Sequence, residues 1–175
     1  MQPERLALAE SDGAVPNNPR LPALLFRGAL PAAAGPEAAE ALFARHGWPP
    51  AWRNGIYPWH HYHPDAHEAL AIACGRVRAQ LGGEGGPVLD LEAGDVVVLP
   101  AGVGHRNLGA SPDLLVVGAY PPGQSPPRTC RADPGAHAAS LTAIAAVPDP
   151  ERDPVRGLPW PRQGDGAMAP GAPRR

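Results

Sequence analysis

The sequence contains no lysine, so its 15 positive charges are all arginine. Without a side-chain amine, the chain cannot supply a catalytic lysine, form a Schiff base or build a Walker-type phosphate loop. It has no run of 18 or more apolar residues, and its first ten residues lack the apolar segment of a signal peptide. These absences predict a cytoplasmic protein with no membrane partner.

Cysteine and aromatic residues are scarce, with two cysteines in the chain and an aromatic fraction of 5%. Two cysteines are too few for the disulfide framework of a small secreted domain. The 17 acidic residues outnumber the arginines and give a formal net charge of −2. Because nucleic-acid binding leaves a basic composition, we expect no nucleic-acid partner. A length of 175 residues favours a single domain with its own core.

Proline and glycine are abundant, with 25 and 21 copies, and they divide the chain into segments. Residues 36–46 predict a helix, because Pro36 suits the first turn and Gly47 follows as a stop. From Trp48 to Tyr120, short apolar runs alternate with glycine turns at intervals of roughly 8–12 residues, which is typical of antiparallel sandwiches and barrels. We therefore predict an N-terminal arm and helix packed on the barrel (1–47), a barrel core (48–122), a proline-rich C-terminal extension with a short helix (123–160) and a mobile tail (161–175).

Histidines cluster at the start of the predicted barrel. His61 and His63 are two residues apart, so on a strand both imidazoles point to the same face. Glu68 begins the next predicted strand, and His105 follows the turn after the apolar strand Asp95–Leu99. Three imidazoles and a carboxylate suit a divalent transition metal such as Mn, Fe, Co, Ni, Cu or Zn. Four protein ligands also leave coordination positions open for water or substrate.

The same residues resemble the two sequence motifs of the cupin superfamily. The first motif is matched at its spacing by Gly55, His61, His63, Glu68 and Gly75. Most of the second motif is matched by Gly94, Pro100-Ala101-Gly102 and His105. The family pattern ends with an asparagine where this chain has Gly109, although Asn107 lies nearby. That position is usually a structural turn, so the departure does not affect the ligands.

Longer strings extend the resemblance to the YjlB-type subgroup of cupins. The similar strings are VPNNPRLP, IYPWHHYHPDAHEAL, LGGEGG, GDVVVLPAGVGH, VVGAYPPGQ and DPVRGLPW. The resemblance implies an all-β double-stranded β-helix, which is the jelly-roll barrel of the RmlC-like type, with the arm, helix and extension outside it. It also implies His61, His63, Glu68 and His105 as the ligands of a divalent transition metal. It does not imply a particular reaction.

Other side chains near the motifs are candidates for a substrate pocket. They are His60, His67, Tyr57, Arg53 and Tyr120. An arginine could hold an anionic ligand through paired hydrogen bonds, and Arg106 offers the same chemistry. Because His60 alternates with His61, and His67 precedes Glu68, each of these two histidines should face away from its ligand neighbour. A packing or surface role stays open for each candidate.

Two functions from different classes fit these features. The first is a metal-dependent small-molecule enzyme of oxygenase or of isomerase or lyase type, with Glu68 as a general base whose pKa burial would raise. The second is a non-catalytic module that binds a small ligand or a metal. A metal-free sugar-nucleotide epimerase shares the fold, but Asp65 and the tyrosines do not specify its acid and base. Because a second subunit commonly covers open sheet edges, we expect a homodimer.

Overall fold

The computed structural model describes residues 1–8 and 13–162, so the tail predicted at 161–175 lies almost wholly outside the described residues. The described strands are β1 (Glu4–Leu6), β2 (Ala23–Phe26), β3 (Pro50–Asn54), β4 (His61–Tyr62), β5 (Glu68–Cys74), β6 (Arg76–Leu81), β7 (Val88–Glu92), β8 (Val96–Leu99), β9 (His105–Ala110), β10 (Leu115–Ala119) and β11 (Cys130–Arg131). The described helices are α1 (Gly35–Arg45), a short 3₁₀ helix (Pro134–Ala136) and α2 (His137–Ala146). In the ranges described, no helix has the length and apolarity to cross a membrane.

The strands form two antiparallel sheets. The six-stranded sheet has the order β1-β2-β8-β5-β10-β3, and the five-stranded sheet has the order β11-β4-β9-β6-β7. Neighbouring strands come from distant parts of the chain, since β5 pairs with both β8 and β10. Apolar side chains from both sheets meet in one interior core. The predicted all-β jelly-roll barrel is therefore confirmed.

Alternation along β5 divides its side chains between the inside and the outside of the barrel. Leu70 and Ile72 pack in the interior with Leu81 and Leu91 of the opposite sheet. The alanines of β5 belong to a second apolar layer on the outer face, beneath α1. Because successive strand residues point to opposite faces, Glu68 shares the inner face with Leu70.

Helix α1 covers the outer face of the six-stranded sheet. It has Pro36 in its first turn and ends before Gly47, whose φ of +82° lies in the left-handed region that glycine adopts without strain. Each end lies one residue earlier than predicted. The ring of Phe43 is fully buried between the helix and the sheet, where it packs in the same layer as Val98 and Val117.

Two tryptophan side chains form hydrogen bonds between the C-terminal extension and the rest of the chain. Trp48 Nε1 donates a hydrogen bond of 3.0 Å to the carbonyl of Arg152, and Trp160 Nε1 donates one of 3.0 Å to the carbonyl of Pro22. Trp160 is itself buried in the outer apolar layer. The described residues after α2 (147–162) contain no helix or strand, and these side-chain contacts help to hold them in place. The division of the chain into four regions stays a prediction.

The packing of α1 leads to a prediction about stability. Phe43→Ala should lower the free energy of unfolding by about 3–5 kcal/mol, because it leaves a cavity beneath the helix. Leu108→Ala is the matched control: Leu108 is 44% exposed, so its truncation should change stability by no more than about 0.5 kcal/mol. Urea unfolding measures both values. Equal midpoints for the two variants would contradict the packing described for α1.

Candidate metal centre

The four side chains predicted to bind a metal meet on the inner face of the barrel. His61 begins β4 and His105 begins β9, and the two residues are paired directly across the sheet. His63 follows β4, whereas Glu68 is the first residue of β5 in the other sheet. The ring centroids of His61 and His105 are 4.0 Å apart, and that of His63 lies 6.0 and 6.2 Å from them.

A backbone carbonyl holds each of the three imidazoles through its Nδ1 atom. These pairs are His61 Nδ1 with Trp59 O at 3.2 Å, His63 Nδ1 with Arg128 O at 2.8 Å and His105 Nδ1 with Val103 O at 3.2 Å. Because a carbonyl can only accept, each Nδ1 carries a hydrogen and each Nε2 keeps its lone pair in the neutral ring. One ring nitrogen of each histidine lies within 4.8 Å of the other two. In metal-binding histidines the ring nitrogen that does not bind the metal typically donates such a hydrogen bond to a carbonyl or carboxylate.

The carboxylate of Glu68 faces two of these histidines. Its Oε1 lies 3.4 Å from His63 Nε2, and its Oε2 lies 3.2 Å from His105 Nε2. Carboxylate oxygens and unprotonated ring nitrogens both carry lone pairs, so a proton or a metal ion must supply positive charge between them. Oε1 accepts a hydrogen bond of 3.0 Å from the Tyr120 hydroxyl. Oε2 is buried and has no hydrogen-bond partner in the described part of the chain.

Burial and neighbouring charges shift the pKa values of these groups. Burial alone would raise the pKa of Glu68, but His63 and His105 outweigh it and hold that pKa well below its usual range. The rise predicted from burial is therefore wrong. Burial, with repulsion from His105, lowers the pKa of His61 to about 3. Burial also acts to lower the pKa of His63, but the negative charge of Glu68 outweighs it and raises that pKa.

The donor set fits a divalent first-row transition metal. Three imidazoles and one carboxylate are ligands of intermediate softness, which these metals accept. The unsatisfied Oε2 of Glu68 is a buried acceptor, and leaving such an atom without a partner is costly. A cation among the ring nitrogens would satisfy that oxygen and replace the proton that His63 otherwise needs.

A cavity of about 310 Å³ opens onto these four side chains. Its remaining lining residues are Trp52, Asn54, Gly55, Ile56, Tyr57, Pro58, Leu70, Tyr120 and Thr129. Polar and apolar groups share this lining about equally, and among the described residues it contains one carboxylate and no arginine. Two larger surface hollows, of about 910 and 650 Å³, contain none of the four ligand side chains. Converging polar groups rather than volume mark a binding site, so the smaller cavity is the candidate pocket.

Two of the five predicted pocket residues, Tyr57 and Tyr120, line the cavity. Arg53 lies outside it, because its guanidinium pairs with Glu40 of α1 at 2.7 Å. Arg106 is likewise outside the cavity and pairs with an exposed glutamate at 2.9 Å. Both arginines are thus engaged by carboxylates of the chain itself.

The remaining two candidates, His60 and His67, are buried away from the cavity. Neither ring nitrogen of His60 has a hydrogen-bond partner among the described residues. His67 Nδ1 accepts a hydrogen bond of 2.9 Å from the backbone of Ala101, and its Nε2 donates to the carbonyl of Pro148 at 3.1 Å. Burial lowers the pKa of His67 to about 4, so the ring is neutral and joins the barrel to the C-terminal extension.

Sequence reasoning missed the part that the C-terminal extension plays in the site. The carbonyl that holds His63 belongs to Arg128, which is 65 positions further along the chain. The neighbouring Thr129 lines the cavity, as does Trp52 of β3. These residues belong to neither motif, and a backbone carbonyl leaves no trace in residue type. No local pattern could therefore have indicated the contact.

A jelly-roll barrel with three histidines and a glutamate on its inner face defines the cupin class, and the family model described as "Cupin domain" matches residues 53–117. A Bacillus subtilis (strain 168) protein, "Uncharacterized protein YjlB", is 39% identical over 147 residues, which cover 83% of this chain and 86% of that protein. The chain therefore belongs to the YjlB-type family of cupins, as its motifs predicted.

Solved structures similar to this chain are more distant. An uncharacterized conserved protein with a double-stranded β-helix domain, from Klebsiella pneumoniae, is 16% identical, covers 75% of this chain and 85% of its own, and gives a TM-score of 0.37. A mutant of oxalate decarboxylase from Bacillus subtilis is 17% identical, with coverage of 63% of this chain and 27% of its own and a TM-score of 0.36. No activity of this chain follows from likenesses of this extent.

The placement of Arg53 leads to a prediction about metal binding. Arg53→Ala should leave the metal content of the purified protein unchanged, because this guanidinium pairs with Glu37 and Glu40 outside the cavity. Elemental analysis of the variant beside the unaltered protein measures the effect. A loss of metal in Arg53→Ala, with folding intact by circular dichroism, would show that the arginine acts on the site after all.

Proposed function

We propose that the protein is a metal-dependent enzyme that acts on a small molecule, of oxygenase or of isomerase or lyase type. In this proposal His61, His63, Glu68 and His105 hold a divalent transition metal at the base of the cavity. One observation carries the proposal: backbone carbonyls fix the Nδ1 atoms of all three histidines, each histidine has a ring nitrogen within 4.8 Å of the other two, and the Glu68 carboxylate faces two of them.

The metal would supply Lewis acidity toward an oxygen atom of the ligand or, if it is redox-active, reactivity toward dioxygen. The residues of the chain orient the donors, limit water and shape the pocket. Ile56 and Leu70 offer an apolar wall to the body of a ligand. Tyr57 is 50% exposed and stacks on Trp59 with centroids 4.8 Å apart, which supports a role at the entrance. A cavity of about 310 Å³ suits a compact ligand.

A second candidate function is a non-catalytic module that binds a small ligand or a metal. It is favoured by the placement of the acid–base groups other than the ligands. His60 and His67 lie outside the cavity, and the Tyr120 hydroxyl is engaged by Trp52 on one side and Glu68 on the other. With a lowered pKa, Glu68 is a weak general base at neutral pH. Catalysis would then depend on the metal more than on proton transfer by side chains.

Metal analysis tests the proposed site. Protein purified without a chelating tag should contain a first-row transition metal. His61→Ala and Glu68→Ala should each weaken its binding by about 100-fold or more, since even residues that only support the ligands are worth about 10–100-fold. His46→Ala is the control, because its ring contacts the carbonyl of Pro154 outside the cavity. Unchanged metal content in both ligand variants would overturn the assignment.

The two candidate functions differ in whether the bound metal keeps a coordination position open to water. A catalytic metal keeps a coordination position for water or substrate. Protein loaded with Mn²⁺ should therefore accelerate the relaxation of water protons, and the Glu68→Ala protein, treated identically, is the comparison. A bound but fully enclosed Mn²⁺ that leaves water relaxation unaffected would favour the non-catalytic module. Oxygen consumption by the Fe- or Mn-loaded protein would then indicate an oxygenase. Activity that does not depend on oxygen in the Zn- or Ni-loaded protein would indicate an isomerase or lyase.

The assembly and location of the protein also belong to the proposal. We infer a homodimer, since β7 is one of the two edge strands of the five-stranded sheet and carries Val88, a 41% exposed apolar side chain. Light scattering on the purified protein should give twice the mass of the chain, and a mass equal to that of one chain would contradict the inference. A cytoplasmic location stays a prediction from the sequence.

A further inference from the structure

At three neighbouring strands of the six-stranded sheet, the side chains of Trp52, Tyr120 and Glu68 lie next to one another. In that sheet β10 lies between β3 and β5. Gly118 of β10 is paired with Trp52 of β3 on one side and with Leu70 of β5 on the other. Tyr120 stands two residues after Gly118, and Glu68 stands two residues before Leu70. Glu68 and Leu70 share the inner face of β5 because they are two residues apart on the strand. Trp52 and Tyr120, which directly follows β10, line the same interior cavity as Glu68.

Gly118 makes room for the indole of Trp52. A Cβ atom at position 118 would overlap the Cε2, Cζ2 and Nε1 atoms of that ring. The indole therefore lies directly across the backbone of β10, packed against the interior core. This placement brings Trp52 Nε1 to 2.8 Å from the hydroxyl oxygen of Tyr120.

The chemistry of these groups sets the direction of the hydrogen bonds between them. An indole nitrogen can only donate, so the Tyr120 oxygen must accept from Trp52. The Tyr120 hydrogen is then free to point away from the indole, and it is donated to Glu68 Oε1 at 3.0 Å. Oε1 is satisfied in this way, whereas Oε2 has no hydrogen-bond partner among the residues that the structure describes. The two oxygens of one carboxylate are thereby distinguished.

We propose that Trp52 and Tyr120 are positioning residues that fix the orientation of the Glu68 carboxylate toward a bound metal ion, with Oε1 engaged by Tyr120 and Oε2 left without a hydrogen bond among the described residues. This inference rests on the proposed metal site. It assigns the Tyr120 hydroxyl to Glu68, while the residue still lines the cavity. Hydrogen-bond partners of metal ligands orient those ligands, and their loss typically weakens metal binding by about 10–100-fold.

Packing alone does not account for this arrangement. Phenylalanine at positions 52 and 120 would fill most of the same space without placing an N–H and an O–H among apolar groups. Burying such polar groups is unfavourable unless they are hydrogen-bonded. The Trp52 N–H is satisfied by the Tyr120 oxygen, and the Tyr120 O–H is satisfied by Glu68. Glu68 is the one carboxylate that lines the cavity among the described residues.

Phenylalanine substitutions test the proposal because they remove one polar atom and keep a ring. The variants are Tyr120→Phe, Trp52→Phe and the double variant. Tyr62→Phe is the matched control, since it removes a buried tyrosine hydroxyl that bonds Ser140 Oγ at 2.9 Å outside the cavity. For each protein, the dissociation constant of Co²⁺ is measured by competition with a chelator, and the visible spectrum of bound Co²⁺ is recorded.

Tyr120→Phe should weaken Co²⁺ binding by about 10–100-fold and alter its spectrum. Trp52→Phe should act in the same direction with a smaller effect. The double variant should match Tyr120→Phe, because Trp52 acts only through Tyr120. Tyr62→Phe should leave both affinity and spectrum unchanged. If Tyr120→Phe does not fold, Trp52→Phe decides the question by the same two measurements, since it keeps the phenol.

Three results would overturn the proposal. They are an unchanged affinity and spectrum in Tyr120→Phe, additive effects of the two substitutions, and an equal loss in Tyr62→Phe. Failure of the metal site itself is distinguishable from these results. If the unaltered protein binds no Co²⁺, the proposed function falls together with this inference. If it binds Co²⁺ and Glu68→Ala loses it while Tyr120→Phe does not, this inference alone is overturned.

Discussion

The candidate metal centre depends on the hydrogen bonds that three backbone carbonyls accept from histidine side chains. Without them, each imidazole could rotate and present either nitrogen. Two of these carbonyls stand two residues before their histidines, at Trp59 and Val103, so the turn that leads into each strand also orients its first ring. The third carbonyl belongs to Arg128, which lies in the C-terminal extension. Ring orientation is therefore a property of the backbone, which strand pairing keeps rigid.

The inner face of the barrel serves two opposing requirements. Leu70 and Ile72 exclude water from the core, and Glu68 on the same strand face places a negative charge at its edge. A partly satisfied polar cluster next to an apolar core is costly unless a cation completes it. An ion that binds only the folded chain would offset this cost and stabilise the barrel. The fold and the site are thus energetically coupled.

Local patterns in the sequence were enough to predict the barrel and the four side chains that meet on its inner face. Short apolar runs separated by glycine turns predicted the strands, and motif spacing predicted which side chains meet. Local patterns could not predict contacts that depend on how distant segments pack together. The partner of Arg53 depends on how α1 lies on the sheet, and the position of Trp52 depends on a glycine in another strand. The pKa of Glu68 was misjudged for the same reason, since neighbouring rings outweigh its burial.

The carbonyl of Arg128 makes the C-terminal extension part of the site's architecture. His63 is locked only when that segment has docked, and Thr129 then completes the cavity wall. If a metal ion binds at the proposed site, docking of this segment and binding of the ion must strengthen each other by the same factor, because a coupling free energy is reciprocal. During synthesis, the third imidazole has no fixed orientation until residue 128 has left the ribosome. If the proposed site holds a metal ion, detaching this segment would weaken its binding without altering any of the proposed ligands.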